Sequence, residues 1–318
     1  MKKIISALIL LALLIPTVCV CAQAETALIP GGQVIGLALA EGSLTVISID
    51  EDLGQAVKEA GLQTGDKLTQ INNTAVRSID QVRTALQKNT DAVDLQILRS
   101  GKTKHLQVTP AHTEEGPRLG IYLKEGITGI GTVTYYDPQS GTYGALGHGV
   151  NQSDGTLAAM ENGSTYRAAI LAVQKGECGK PGQLMGTLAD QMPTGTIVKN
   201  TPHGIFGQLS PANSPALPLG QAREGDAVIR STVDEKGVQE YSVEILRIYP
   251  SSRNDGRNML LRVTDPKLLD ATGGIVQGMS GSPIIQDGKL IGAVTHVLVN
   301  DPTTGYGIFI ENMLDAAA

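Results

Sequence analysis

Aromatic residues are scarce in this 318-residue chain, which has no tryptophan, only two phenylalanines and an aromatic fraction of 3%. Its cores must therefore be built from valine, isoleucine, leucine and alanine, and the hydrophobic fraction of 41% is large enough for this. The chain also lacks a basic run and any interleaving of basic with aromatic residues, and its formal net charge is -6. Nucleic-acid binding is therefore not expected.

Cysteine is equally scarce. Two of the three cysteines fall within the first 21 residues, so Cys178 alone remains and no internal disulfide framework is expected. Cys178 lies in a segment typical of a turn, Lys-Gly-Glu-Cys-Gly-Lys, although a cysteine hydrolase stays open as an alternative. The sequence has no His-Glu-x-x-His motif and no cluster with metal-ligand spacing, so we expect neither a metal nor another cofactor.

The N-terminus carries a targeting pattern. Lys2 and Lys3 precede an apolar stretch over residues 4–15, and Ala-Gln-Ala at 22–24 provides a small-residue cleavage site. This pattern predicts that residues 1–24 form a secretory signal peptide, or a membrane anchor through residues 4–22 if it is not cleaved. Either alternative places the body of the protein outside the cytoplasm.

Residues 30–112 form a first predicted module. Its signals are a strand at 44–49, a helix capped by Ser78, and strands at 93–98 and 104–108. Between them, residues 60–72 read Ala-Gly-Leu-Gln-Thr-Gly-Asp-Lys-Leu-Thr-Gln-Ile-Asn. This segment resembles the PDZ domains of bacterial proteases of the high-temperature-requirement type.

The PDZ resemblance implies that a peptide or a chain terminus binds in a groove by strand addition beside a helix. It also implies that Ile35, Gly36 and Leu37 form the loop that holds the ligand carboxylate. The alternative is a module that packs against its neighbour and binds nothing.

Residues 119–318 form a second predicted module, rich in glycine and in short strands. The pattern favours a β-barrel or a sandwich, and two small barrels would fit the length. The predicted strands include 127–136, 241–246, 259–263, 282–286 and 290–296, the last two joined by a hairpin turn at Asp287-Gly288.

Two residues in this module are candidates for nucleophilic chemistry. Ser280 lies in Gly-Met-Ser-Gly-Ser-Pro at 278–283, where flanking glycines free backbone N–H groups to converge on one small space. His148 lies between glycines at a strand end and can accept a proton near neutral pH. Each also has a plain alternative, a turn for the serine segment and a turn-capping histidine. His296 lies in an apolar run and is expected to be a satisfied core or supporting residue.

Longer segments resemble one family. They lie at residues 129–132, 144–148, 263–285, 292–297 and 300–307. Together they resemble the stage IV sporulation protein B family, PDZ-bearing serine peptidases of endospore-forming bacteria. The resemblance implies a mostly β protein, with an N-terminal PDZ domain followed by a chymotrypsin-like double β-barrel peptidase domain.

The family resemblance also assigns roles to residues. Ser280 matches the nucleophile, His148 the general base and Asp265 the acid, with the N–H groups of Gly278 and Ser280 as the oxyanion hole. The acid stays open, because in chymotrypsin-like barrels it usually comes from the first barrel, where Asp190 fits better. Asp265 could instead make an Asx-type turn before Pro266.

The function implied by the resemblance is that of an exported signalling endopeptidase. Such an enzyme acts between the two membranes around the developing spore and cleaves itself near its N-terminus. It also cleaves a regulatory protein of an intramembrane-protease complex and so activates a late sigma factor. The alternative is an exported PDZ adaptor without catalytic activity.

Overall fold

The structure is a computed structural model that describes residues 26–318 except 89, 90, 153, 191, 212 and 254. The predicted signal or anchor segment, residues 1–24, lies outside this part. The described chain is mostly β, with a small core of strands and helices (hereafter the PDZ core, after the resemblance) and two six-stranded barrels, as the family resemblance implies.

The first part of the chain contains two short helices among strands of 2 to 16 residues. Its elements are β1 (Ala27–Pro30), β2 (Val34–Ile49), α1 (Gln55–Glu59), β3 (Lys67–Ile71), β4 (Thr74–Ala75), α2 (Ile79–Gln87), β5 (Val93–Arg99), β6 (Lys102–Val108), β7 (Ala111–Thr113) and β8 (Gly116–Arg118).

The PDZ core forms where the sequence signals predict it. Ser78 caps α2 by accepting a hydrogen bond from the Gln81 N–H at 3.1 Å, and Val82 and Leu86 on the same helix are buried. Asp66 is buried and is held by Arg99 across the turn. This pair fixes the Gly-Asp turn of the PDZ-like segment to β5.

The middle of the chain contributes strands to the first barrel. These elements are β9 (Ile121–Tyr136), β10 (Thr142–Ala145), β11 (Asn162–Gln174), β12 (Gln183–Leu188), β13 (Gly195–Thr201), β14 (Gly204–Leu209) and β15 (Leu217–Pro218). The barrel closes in the order β2-β9-β10-β14-β13-β11, because β2 pairs with both β9 and β11.

The last third of the chain forms the second barrel. Its elements are β16 (Gly225–Thr232), β17 (Val238–Ile248), β18 (Met259–Val263), α3 (Pro266–Thr272), β19 (Pro283–Gln286), β20 (Lys289–Leu298), β21 (Asp301–Phe309) and α4 (Ile310–Ala317). The closed order is β16-β17-β18-β21-β20-β19. The hairpin predicted at Asp287-Gly288 is present, with both residues at positive φ.

The two modules share their longest strands. Residues 34–39 of β2 pair with 127–132 of β9 in the first barrel, while residues 44–49 pair with 121–125 in the PDZ core. The predicted division at 30–112 and 119–318 therefore separates β2 from its partner β9, and the first barrel takes residues from both sides of the PDZ core.

Apolar residues from both barrels and α4 form one shared core. Leu28 of β1, Tyr135 of β9, Ile308 of β21 and Met313 of α4 are buried in it. The barrels are thus fixed against each other, and their facing loops can form one site. In the described part of the chain, no helix has the length and hydropathy needed to span a bilayer.

Candidate active site

The loop that carries Ser280, residues 277–282 (hereafter the serine loop), is shaped by two glycines. Gly278 has a φ of 99° and Gly281 a φ of 97°, values that a residue with a Cβ rarely adopts. A Cβ on Gly281 would lie 2.0 Å from the Thr132 carbonyl oxygen and 2.5 Å from the Leu146 nitrogen. Glycine is therefore required for the loop to lie against the first barrel.

The serine loop leaves two backbone N–H groups free. The N–H groups of Gln277, Met279, Gly281 and Ser282 all donate to backbone carbonyls. By contrast, those of Gly278 and Ser280 donate to no acceptor among the described residues. Free donors on both sides of a serine hydroxyl are what an oxyanion hole requires.

Two threonines of β9 hold the serine loop in place. Thr132 donates its hydroxyl to the Gly278 carbonyl at 2.8 Å and its N–H to the Ser280 carbonyl at 3.0 Å. Thr134 donates its hydroxyl to the Gly281 carbonyl at 2.8 Å. Both threonines are buried. The first barrel thus sets the position of a loop that belongs to the second.

A strained turn carries His148 at the end of β10. Leu146, with a φ of 71°, and Gly147, with a φ of 70°, reverse the chain before the histidine. The Leu146 N–H donates to the Thr132 carbonyl, so the strand that holds the serine loop also holds this turn. A non-glycine residue at positive φ costs roughly 1–3 kcal/mol, and such strained residues cluster at active sites and ligand-binding segments.

The protonation of His148 follows from its contacts. Its Nδ1 lies 2.9 Å from the Gly149 carbonyl oxygen, which can only accept, so Nδ1 carries the proton. Nε2 is then left as the basic nitrogen. Burial lowers the pKa of His148 and favours the neutral form, although the hydrogen bond to Gly149 opposes this shift.

Ser280 and His148 line one cavity of about 640 Å³ between the barrels. The remaining lining is largely apolar and includes Leu37, Ile130, Ile275 and Val297. Ser280 Oγ donates to the Thr295 carbonyl at 2.8 Å in this structure, so the hydroxyl must rotate before it can reach an imidazole nitrogen.

A second histidine, His296, lines the same cavity. Its ring centroid is 5.3 Å from that of His148, with the planes tilted by 39°. The sequence pattern predicted a satisfied core or supporting residue, but Nδ1 of His296 is buried with no hydrogen-bond partner in the described part of the chain.

Neither candidate acid lies in the cavity. Asp265 caps α3, where its Oδ1 accepts from the Lys267 N–H at 2.8 Å, and its Oδ2 accepts from the Ser242 N–H at 3.3 Å. Asp190 is exposed and accepts from the Met192 N–H. Among the cavity-lining residues in the described part, there is no aspartate or glutamate. The assignment of Asp265 as the acid stays a prediction without a supporting contact.

Backbone hydrogen bonds from the start of β12 also hold the serine loop in place. The Leu184 N–H donates to the Gln277 carbonyl at 2.9 Å, and the Gln277 N–H donates to the Gly182 carbonyl at 2.9 Å. Leu184 itself is fully buried in the core of the second barrel. Cys178 lies in the connection between β11 and β12, exposed and outside the cavity.

The predicted PDZ loop is wrong. Ile35, Gly36 and Leu37 lie within β2, paired with β9 on one side and β11 on the other, so their backbone groups belong to the first barrel. The reason is that the glycine-bordered segment before the PDZ core continues as a barrel strand. Leu37 instead lines the active-site cavity.

The groove of the PDZ domain lies elsewhere. A cavity of about 360 Å³ separates α2 from the start of β9, with Ile79, Val82 and Leu86 on the helix side and residues 119–123 opposite. In the part of the chain that is described, residues 121–123 pair with β2 alone, which leaves one strand edge open for an added peptide.

Two features of the site were not identified from the sequence. Thr132 and Thr134 lie on either side of Val133 on β9, and the burial of all three, which points to the role of the threonines, is visible only in the structure. The partner of the His148 Nδ1 is a backbone carbonyl, so no residue type in the sequence could have indicated it.

Curated relatives match only part of this chain. Two curated relatives carry the name "Putative zinc metalloprotease": one from Rhizobium meliloti (strain 1021), 28% identical over 49% of this chain, and one from Staphylococcus aureus (strain COL), 37% identical over 26%. The chain covers only 43% and 19% of these relatives.

Solved structures resemble the chain only distantly. The active form of the Rv3671c protease from M. tuberculosis is 17% identical, covers 60% of this chain and 73% of its own, and has a TM-score of 0.36. The PDZ domain of an SdrC-like protein from Listeria monocytogenes is 22% identical, covers 26% and 87%, and has a TM-score of 0.23.

Family models match both modules. A PDZ domain model matches residues 57–99, and the model of the SpoIVB peptidase S55 family matches residues 115–314, more than half of the chain. With the two barrels and a serine and a histidine in one cavity, the chain belongs to the SpoIVB peptidase S55 family and is a PDZ-containing serine peptidase.

Proposed function

We propose that this peptidase is an exported sporulation-signalling endopeptidase that uses Ser280 as its nucleophile and His148 as its general base. The observation that carries the proposal is the shared cavity of Ser280 and His148, with two free N–H groups beside the serine hydroxyl. The export pattern over residues 1–24 and the family membership support the setting.

The proposed reaction is acyl transfer. His148 Nε2 takes the proton of Ser280 Oγ, and the oxygen attacks the carbonyl carbon of the scissile peptide bond. The N–H groups of Gly278 and Ser280 stabilise the resulting oxyanion, and losing one such donor costs roughly 3–4 kcal/mol in the barrier. A backbone N–H of the bound substrate can donate to the Thr295 carbonyl in place of the serine hydroxyl, which would then be free to turn towards His148.

We also propose two protein substrates. The first is the chain itself, cleaved before Ala27, since residues 27–30 are paired with β9 and β15 and are closed to an active site in the folded protein. The second is a regulatory protein of an intramembrane-protease complex, whose cleavage activates a late sigma factor. The groove between α2 and residues 121–123 would recruit a peptide or chain terminus of either substrate.

The test has two parts. A fluorophosphonate probe should label the folded protein and should fail to label Ser280→Ala, with Cys178→Ala labelled normally as the matched control. Mass spectrometry of the purified protein should show truncation before Ala27 that is absent from Ser280→Ala. Labelling that survives Ser280→Ala would refute the nucleophile, and a cut site within residues 27–33 would refute the proposed self-cleavage.

The sporulation role needs its own measurement. In a spore-forming host, Ser280→Ala at native expression should block activation of the late sigma factor, whereas Cys178→Ala should not. Normal activation with the Ser280→Ala chain as the only copy would refute this part of the proposal.

A further inference from the structure

His296 sits beside both groups that the reaction would use. Its ring lies 5.3 Å from the ring of His148, centroid to centroid. It directly follows Thr295, whose carbonyl accepts the hydrogen bond of the Ser280 hydroxyl. All three residues line the same cavity.

The Nδ1 atom of His296 is buried and has no hydrogen-bond partner among the residues that the structure describes. Burying an unsatisfied polar atom costs stability, so such atoms are few in native proteins and call for an explanation. A purely structural residue at this place could be any apolar side chain of similar volume, at no such cost.

His148 lacks the partner that normally stabilises a catalytic imidazolium. Its Nδ1–H donates to the neutral Gly149 carbonyl, and no carboxylate lines the cavity among the described residues. The positive charge that His148 gains when it takes the serine proton therefore needs another polar neighbour.

The charge state of His296 suits that need. The charged groups that influence it are His148 and Arg257, both cationic when protonated, and Asp255. Burial, His148 and Arg257 together lower the pKa of His296 to about 4, against the opposite effect of Asp255. At neutral pH, His296 is thus a neutral polar ring and does not repel a charged His148.

We propose that His296 is a positioning residue for His148, which packs against the His148 ring and stabilises the imidazolium formed during acyl transfer. No proton passes to His296, because the serine proton stays on His148 until the leaving group takes it. This inference rests on the proposed roles of His148 and Ser280.

The experiment measures fluorophosphonate labelling of Ser280 from pH 5 to 9, as a maximal rate and a half-saturating probe concentration. His296→Phe keeps a ring against His148 and removes both nitrogens, while His296→Gln keeps a polar side chain. His112→Phe is the matched control, the same substitution at an exposed histidine outside the cavity. Thermal unfolding checks that each variant is folded.

We expect the maximal labelling rate of His296→Phe to fall by roughly 10-fold or more, with the half-saturating concentration within about twofold. The acid limb of its rate profile should move to lower pH, because His148 loses a group that stabilises its cation. His296→Gln should recover part of the rate. If the phenylalanine variant does not fold, His296→Gln alone provides the test, and its acid limb should lie at lower pH than that of the unmodified protein.

Three results would overturn the inference: an unchanged rate and profile, a change confined to the half-saturating concentration, or an acid limb that moves to higher pH. The last would mean that His296 acts as a competing cation. Ser280→Ala distinguishes a failure of the His296 inference from a failure of the proposed function. Labelling that persists in Ser280→Ala refutes Ser280 as the nucleophile, whatever the His296 variants show.

Discussion

At Gly281 the serine loop touches the backbone of the first barrel, at Thr132 and at the turn before His148. Gly281→Ala tests this contact between the two halves of the candidate site directly. The new Cβ would lie 2.0 Å from the Thr132 carbonyl oxygen, 2.5 Å from the Leu146 nitrogen and 3.0 Å from its Cα. All three are backbone atoms, so no side chain can rotate away. The serine loop, the turn before His148, or both must move.

The cost has two sources that can be separated. The first is the positive φ of 97°, which costs an alanine roughly 1–2 kcal/mol. The second is the displacement of packed backbone, which typically costs roughly 1–3 kcal/mol more. Gly237→Ala is the matched control in the same barrel, since Gly237 has a φ of 82° and no atom within 4 Å of a new Cβ. It should show the first cost alone.

Urea denaturation measures the free energy of unfolding of both variants, and fluorophosphonate labelling measures the reactivity of Ser280. We expect Gly281→Ala to lose roughly 2–5 kcal/mol in total and to react about 100-fold more slowly, as a misplacement near 1 Å would cause. Gly237→Ala should react at the normal rate. Equal stability losses in the two variants, or normal labelling of Gly281→Ala, would show that the two halves do not meet as described.

Further predictions concern the threonines, the acid and pH. Thr132→Val leaves a carbonyl of the serine loop without its partner and should cost roughly 1–3 kcal/mol in urea denaturation and slow labelling more than Thr134→Val does; equal labelling rates would contradict it. Asp265→Asn keeps a good helix cap, so labelling should be unchanged and stability within about 0.5 kcal/mol, whereas a rate loss near 10⁴-fold would establish the acid role. Stability should fall as pH drops from about 6.5 towards 4, because His296 takes up a proton in the unfolded chain first, and this slope should shrink in His296→Phe.

The PDZ core and the strands were predictable because their signals are local. The cap at Ser78, the apolar face of α2 and the glycine turns are set by neighbouring residues, and the structure has them where the patterns indicate. Ser280 and His148 were also identified as candidates, since each lies between glycines, the serine before a strand and the histidine after one. That these two residues act together depends on long-range geometry, and only the family resemblance indicated it.

The sequence did not identify the acid, because an aspartate can serve either as a helix cap or as a catalytic carboxylate. Asp265 stands before Pro266, with Gly273 after the helix in the left-handed conformation, and this order is also the standard pattern of a capped helix. Spacing from Ser280 cannot separate a cap from a catalytic carboxylate. The structure places both oxygens of Asp265 on backbone N–H groups, which accounts for the residue without any catalytic role.

The boundary between the modules could not be read from the sequence because it lies inside strands. Gly42 of β2 and Gly126 of β9, both at positive φ, lie at the passage, where the β2–β9 pairing has an irregularity but continues. The other partner of β2 changes there from β11 to β3. A fragment that begins at residue 119 would therefore lack β1 and β2, and β9 would lose its partner along most of its length. The strand that borders the PDZ groove at residues 121–123 also carries Thr132, which holds the serine loop. A peptide added in the groove would therefore lie on the same strand as Thr132, whose N–H donates to the Ser280 carbonyl.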